Sequence, residues 1–150
     1  MSRVVYGSII GLAEIVAVEA HPPRPMVVAG TLLATAVAVA LAELYSEALE
    51  ARIRTHGRVR GADARHIAGG GAAVAFGIAF PAIFFALAAL GAVGEHSAFT
   101  LAKWTGLALI GFYGFCAARL GGATVTASLV DAAGVVLIGA GLIGLKAVLH

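Results

Sequence analysis

Apolar residues run along this chain in five long blocks, separated by short polar breaks. The blocks fall at 4–20, 26–51, 67–93, 99–120 and 124–149, and each is long enough to predict one helix. A helix that spans a bilayer needs roughly 17–25 apolar residues, so block 4–20 is near the short limit. A signal peptide competes for that block, with Arg3 as its basic start and Val18-Glu19-Ala20 as a cleavage-like site. Glu14 inside the block argues against it, and a retained helix is expected. His21-Pro22-Pro23-Arg24-Pro25 must be a rigid loop, because prolines at this density cannot sit inside a helix. The second helix starts uniformly apolar and ends in Glu43, Glu47 and Glu50, which share one face at i, i+4, i+7. It should run on past the membrane surface into Arg52 and Arg54. Residues 52–66 read as a basic loop. In the third helix, Pro81 leaves the Gly77 carbonyl without its donor and predicts a kink. Gly94-Glu95-His96-Ser97 and Arg119-Leu120-Gly121-Gly122 read as turns.

Composition turns these helices into spans. The chain of 150 residues is 61% hydrophobic and 12% charged, with mean hydropathy +0.99. That charged share is half of the roughly 25% usual in soluble domains. The reading is an all-α integral membrane protein of the cell membrane. It is multi-pass, with about five transmembrane helices in a single domain over 1–150 and no room for a soluble domain. Charge gives the orientation. Arg3, Arg52, Arg54, Arg58, Arg60, Arg65 and Arg119 fall on one side; Arg24, Lys103 and Lys146 fall on the other. The positive-inside rule then puts the N-terminus in the cytoplasm, and Trp104 near one interface. Gly7 and Gly11 form a GxxxG suited to close helix packing. The lone Cys116 excludes an internal disulfide and reads as a small buried hydrophobe. The partners expected are the lipid bilayer and other copies of the chain, as a dimer or higher homo-oligomer, and not nucleic acid.

Acids at membrane depth are the candidate chemistry. At about 1.5 Å per residue, Glu14 comes about 9 Å below the outer surface, Asp131 about 17 Å and Glu43 about 25 Å. Glu19 falls at the outer surface and Glu47 at the inner one. A carboxylate at such depth costs a few kcal/mol or more unless it is paired, protonated or bound to a cation. Glu43, Asp131, Glu14 and Glu47 are therefore the candidate metal or proton ligands. Facing one space, they would form a ladder of oxygen donors suited to Mn²⁺, Fe²⁺ or protons. Plainer readings stand beside this one. Glu19 can pair with Lys103, Glu47 and Glu50 with Arg54 or other loop arginines, and Glu43 and Asp131 can hold buried hydrogen bonds. The histidines 21, 56, 66, 96 and 150 all fall in loops or at ends, against haem ligation inside the membrane. No Gly-x-Ser-x-Gly, His-Glu-x-x-His, phosphate loop or cysteine pair occurs, so an enzyme is not expected, nor a permanently bound cofactor.

Four stretches carry a resemblance: Val5-Tyr6-Gly7-Ser8-Ile9-Ile10-Gly11-Leu12, Ala40-Leu41-Ala42-Glu43-Leu44-Tyr45-Ser46, Phe76 to Leu87 with Pro81, and Ala118-Arg119-Leu120-Gly121-Gly122. Together the chain resembles a reduced member of the vacuolar iron transporter family, the Fe²⁺/Mn²⁺ exporters. The resemblance implies five helices, a cytoplasmic N-terminus and Glu43 as a transport ligand. Ile10 stands where that family's first-helix aspartate would align, Ala42 replaces its glycine, and the short basic stretch replaces its cytoplasmic metal-binding insert. Either Glu14, about one turn on, serves in place of the aspartate, or the chain does not carry iron. The function expected is transport of a divalent cation, in possible exchange for protons, with the Pro81 kink permitting gating. The alternative is a non-transporting scaffold or partner-binding subunit.

Overall fold

Long runs of Ala, Leu, Val and Ile, broken by Pro and Gly, leave the backbone little choice but helix. The computed structural model describes residues 2–54 and 61–149; for residues 2, 54, 61–64, 66, 131, 135, 138, 139, 142, 143 and 145–149 it describes the backbone alone. His56, Arg58, Arg60 and His150 thus lie outside the described residues, as do the side chains of His66, Asp131 and Lys146. Six helices and no strand occur among the described residues: α1 Ser2–Val18, α2 Pro25–Arg54, α3 Gly61–Ala79, α4 Ala82–Ala89, α5 Glu95–Leu120 and α6 Val125–Leu149. Helix α2 (over Pro25–Ile53) and α5 are long and apolar enough to cross a membrane. The pair Ile67–Ala79 and Ala82–Ala89 adds a third if it counts as one span. This points to a membrane-associated chain.

Three boundaries differ from the hydropathy reading. The basic stretch 52–66 is helical at both ends, since α2 runs to Arg54 and α3 begins at Gly61. Glu95 sits in the first turn of α5, so the expected turn at 94–97 is the start of a helix capped by Gly94. The third block is two helices, bent by 44° at Phe80-Pro81. Pro81 has no N–H to continue the ladder, and Phe84 N–H bonds instead to the Pro81 carbonyl at 3.1 Å. The block ends at Ala89, not near Val93, in a turn where Gly91 has φ +76° and Ala92 N–H closes back on the Leu87 carbonyl.

Helix α1 is central. It packs on α3 and α5, and touches α2 and α6; α3 and α4 both lie against α2. Glycine decides how closely α1 and α3 approach. A Cβ on Gly7 would run into the Val74 carbonyl, and one on Gly77 would stand 2.6 Å from both Ser8 N and Val4 O. Toward the other end of α1 the packing is by large side chains: Ile15, Leu32 and Phe85 are fully buried, and Phe85 meets Phe99 edge-on at 4.8 Å. Val27, Leu33, Val37, Leu41, Leu129 and Leu137 point outward from α2 and α6, as lipid-facing residues do.

Candidate functional site

Polar groups gather at three levels along α1. At its start, Arg3 reaches across α3 to the end of α2, and Gly70 makes this possible, because a Cβ there would collide with the guanidinium. Arg3 Nη1 lies 3.2 Å from Glu43 Oε1 and also pairs with Glu47 Oε1, both atoms of the second pair being shielded from water. One cation thus meets two carboxylates that the i, i+4 spacing places on one helix face. Glu47 was expected to pair with Arg54 or other arginines of the basic stretch, of which the side chains of Arg54, Arg58 and Arg60 lie outside the described residues; it pairs with Arg3. The reason is topological: α1 and α2 run antiparallel, so the first residues of one lie beside the last turns of the other.

At the other end, Lys103 of α5 pairs with Glu19 at 2.6 Å, as the plainer reading of Glu19 anticipated. Beside this pair opens a cleft of about 350 Å³ lined by Glu19, Pro22, Glu95, His96 and Phe99.

Glu14 lies between these ends. Thr35 of α2 donates its hydroxyl proton to Glu14 Oε1 at 3.2 Å. Glu14 Oε2 is buried and takes no hydrogen bond among the described residues, and the same holds for Ser8 Oγ one and a half turns below. Along α1, Glu14 is about 17 Å from Arg3 and about 8 Å from Glu19. Along α2, Thr35 is about 12 Å from Glu43. Glu14 and Glu43 therefore occupy separate levels and do not converge on one ion. Among the described residues no group of three or more His, Cys, Asp or Glu side chains is close enough to hold a metal.

Protein-family models, curated proteins and solved structures give no match to this chain. The likeness to vacuolar iron transporters therefore stands on the residues quoted for it and on nothing else.

The sequence singled out Glu14, Glu43 and Glu47 as acids within or beside the apolar blocks, but not the partners that the fold gives them. Arg3 carries weight only as a topology charge until α2 is folded beside it. Thr35 looks like any threonine in an apolar run, yet it falls seven residues before Ala42 on the stretch leading to the carboxylates. Ser8 sits between Gly7 and Ile9, where its hydroxyl would have been the clue.

Proposed function

We propose that this chain is a multi-pass cell-membrane transporter for a cation, built from five spans with the N-terminus in the cytoplasm. The observation that carries this reading is the order of charges along α1: an ion pair at each end and a carboxylate with an unpartnered oxygen between them. Ion pairs that close both ends of a bundle can open one at a time, which is what alternating access requires. The Arg3–Glu43 and Lys103–Glu19 pairs are partly exposed, so breaking them in exchange for water costs far less than breaking fully buried ones, whereas the shielded Arg3–Glu47 contact is the firmer closure. A Pro81 bend in the wall gives the bundle a place to flex. The resemblance points to Fe²⁺ or Mn²⁺ as the cargo, in possible exchange for protons, and an odd number of spans favours a homodimer or higher oligomer. Glu14 becomes the central residue in this reading, while Glu43 and Glu47 become closing groups rather than bare ligands. Asp131 keeps its place as a candidate by depth alone.

A second reading has one observation in its favour. Arg3 already forms ion pairs with both Glu43 and Glu47, as fixed struts in a partner-binding subunit would. Uptake of Mn²⁺ and Fe²⁺ into liposomes carrying the purified protein separates the two. We expect flux above that of empty liposomes, reduced at least about tenfold in Glu14→Gln. No flux for either metal would remove the transport reading and leave the subunit.

A further inference from the structure

The charge around Glu14 says which ions it can hold. On α2, no charged residue occurs between Pro25 and Ala42. On α3 and α4, none occurs between Ile67 and Ala89. On α5, Lys103 is engaged by Glu19. On α6 the charged residues are Asp131 and Lys146. Asp131 stands about 17 Å below the outer surface by helix rise and Glu14 about 9 Å, so Glu14 brings the one carboxylate at its own level of the bundle.

The wall opposite also changes there. Helices α1 and α3 keep one register: Arg3 lies on Gly70, Gly7 on Val74 and Gly11 on Ile78, the same separation each time. The same offset sets Glu14 level with Pro81, one residue short of the next step, where α3 ends and the 44° bend begins. The Gly77 carbonyl, to which Pro81 has no N–H to give, faces Gly11, 3.4 Å from where its Cβ would stand and about one turn of α1 before Glu14, and it points along α3 toward Glu14's level. One carboxylate with an unpartnered oxygen, one hydroxyl with lone pairs still to offer, and a backbone oxygen left by a helix break are hard oxygen donors carrying a net charge of one. Broken membrane helices hold small cations with such groups.

We propose that Glu14 and Thr35, level with the Pro81 break, form a binding site for a monovalent cation of the Na⁺ class. A divalent ion there would leave one positive charge uncompensated in an apolar surrounding, which is costly. The inference deepens the transport reading and rests on it for its purpose: the monovalent ion would be the coupling ion for the cargo.

The test is thermal unfolding of the purified full chain in nanodiscs, with NaCl replacing choline chloride at fixed ionic strength and pH. A ligand that binds only the folded state raises Tm by mass action. We expect a rise of about 4 °C at Na⁺ ten times its dissociation constant, no rise in Glu14→Gln, and about tenfold more Na⁺ needed in Thr35→Val. Thr35→Val keeps the carboxylate, so it serves if Glu14→Gln fails to fold. Four results would each overturn the site: no response to Na⁺, an equal response in Glu14→Gln, a response to Mn²⁺ in place of Na⁺, or loss of the response in Asp131→Asn as well. Na⁺ stabilisation without liposome flux would keep the site and remove the transport reading. Flux of Mn²⁺ without Na⁺ stabilisation would do the reverse.

Discussion

Gly77 is where a single methyl group decides whether α1 and α3 can meet. The atoms that a Cβ would strike are Ser8 N and Val4 O, both backbone, and neither can rotate away. Overpacking against movable side chains costs about 1–3 kcal/mol, so Gly77→Val should cost at least about 3 kcal/mol, or roughly 6 °C in Tm. Gly30, with open space around it, is the control: Gly30→Ala should be neutral or stabilise by up to about 1 kcal/mol. Thermal melts of the two variants settle it, and equal melting would mean the helices do not approach this closely. Of this contact the sequence carried half. Gly7 and Gly11 stood out as a GxxxG, but Gly77 lies in Ala75-Phe76-Gly77-Ile78-Ala79, one small residue among several, and nothing local marks it as the partner. The same limit applied to charge. Spacing rules see neighbours on one helix, so Glu50 to Arg54 was visible, whereas Arg3 to Glu47 joins residues that only tertiary packing brings together.

The bend between α3 and α4 belongs to Pro81 rather than to the packing around it. Proline removes the N–H that would bond the Gly77 carbonyl, and its ring presses on the preceding turn. Replacing it with alanine restores the donor at a fully buried position and removes volume, with no new group to satisfy. Pro81→Ala should therefore straighten α3 into α4. Spin labels at the exposed positions Gly69 and Leu90, in a background with Cys116→Ser, should move apart by about 2 Å. An unchanged distance would assign the bend to the contact of Phe85 with Phe99 instead. The hydropathy blocks foretold that this segment would be interrupted, because a lone proline in an apolar run has few other outcomes. They could not give the depth of the break or its register with Glu14, both of which follow from how α3 lies on α1. Nor could they give the helical ends of 52–66 and 94–97, where polar residues hid the helix limits, among them a first turn that suits Glu95.

In the assembled bundle, α1 has only 17 residues, and by length alone it is marginal as a span. Its neighbours decide the matter. It packs on α3 and α5, with Arg3 tied to the end of α2 and Glu19 tied to Lys103 of α5. About 24 Å of helix separates those two ties, close to the thickness of a bilayer's hydrocarbon core. If α2 and α5 cross, a helix tied to them at both ends crosses with them, which is why five spans are proposed although, among the described residues, two helices are long and apolar enough by themselves. This makes a prediction that needs no knowledge of the cargo. Pro22 and His96 line one cleft, so cysteines placed at the two positions must label from the same side of the membrane. Cysteines at the exposed Glu50 and Leu120 must label from the opposite side. With Cys116→Ser as background and a membrane-impermeant maleimide on whole cells, positions 22 and 96 should react and positions 50 and 120 should not. The basic residues set the expected sign: Arg52, Arg54 and Arg119 adjoin positions 50 and 120, which the positive-inside rule assigns to the cytoplasm in the proposed topology. Labelling of 22 and 96 from opposite faces would break the bundle's packing. Labelling of both pairs from the same face would leave the packing intact and refute the spans.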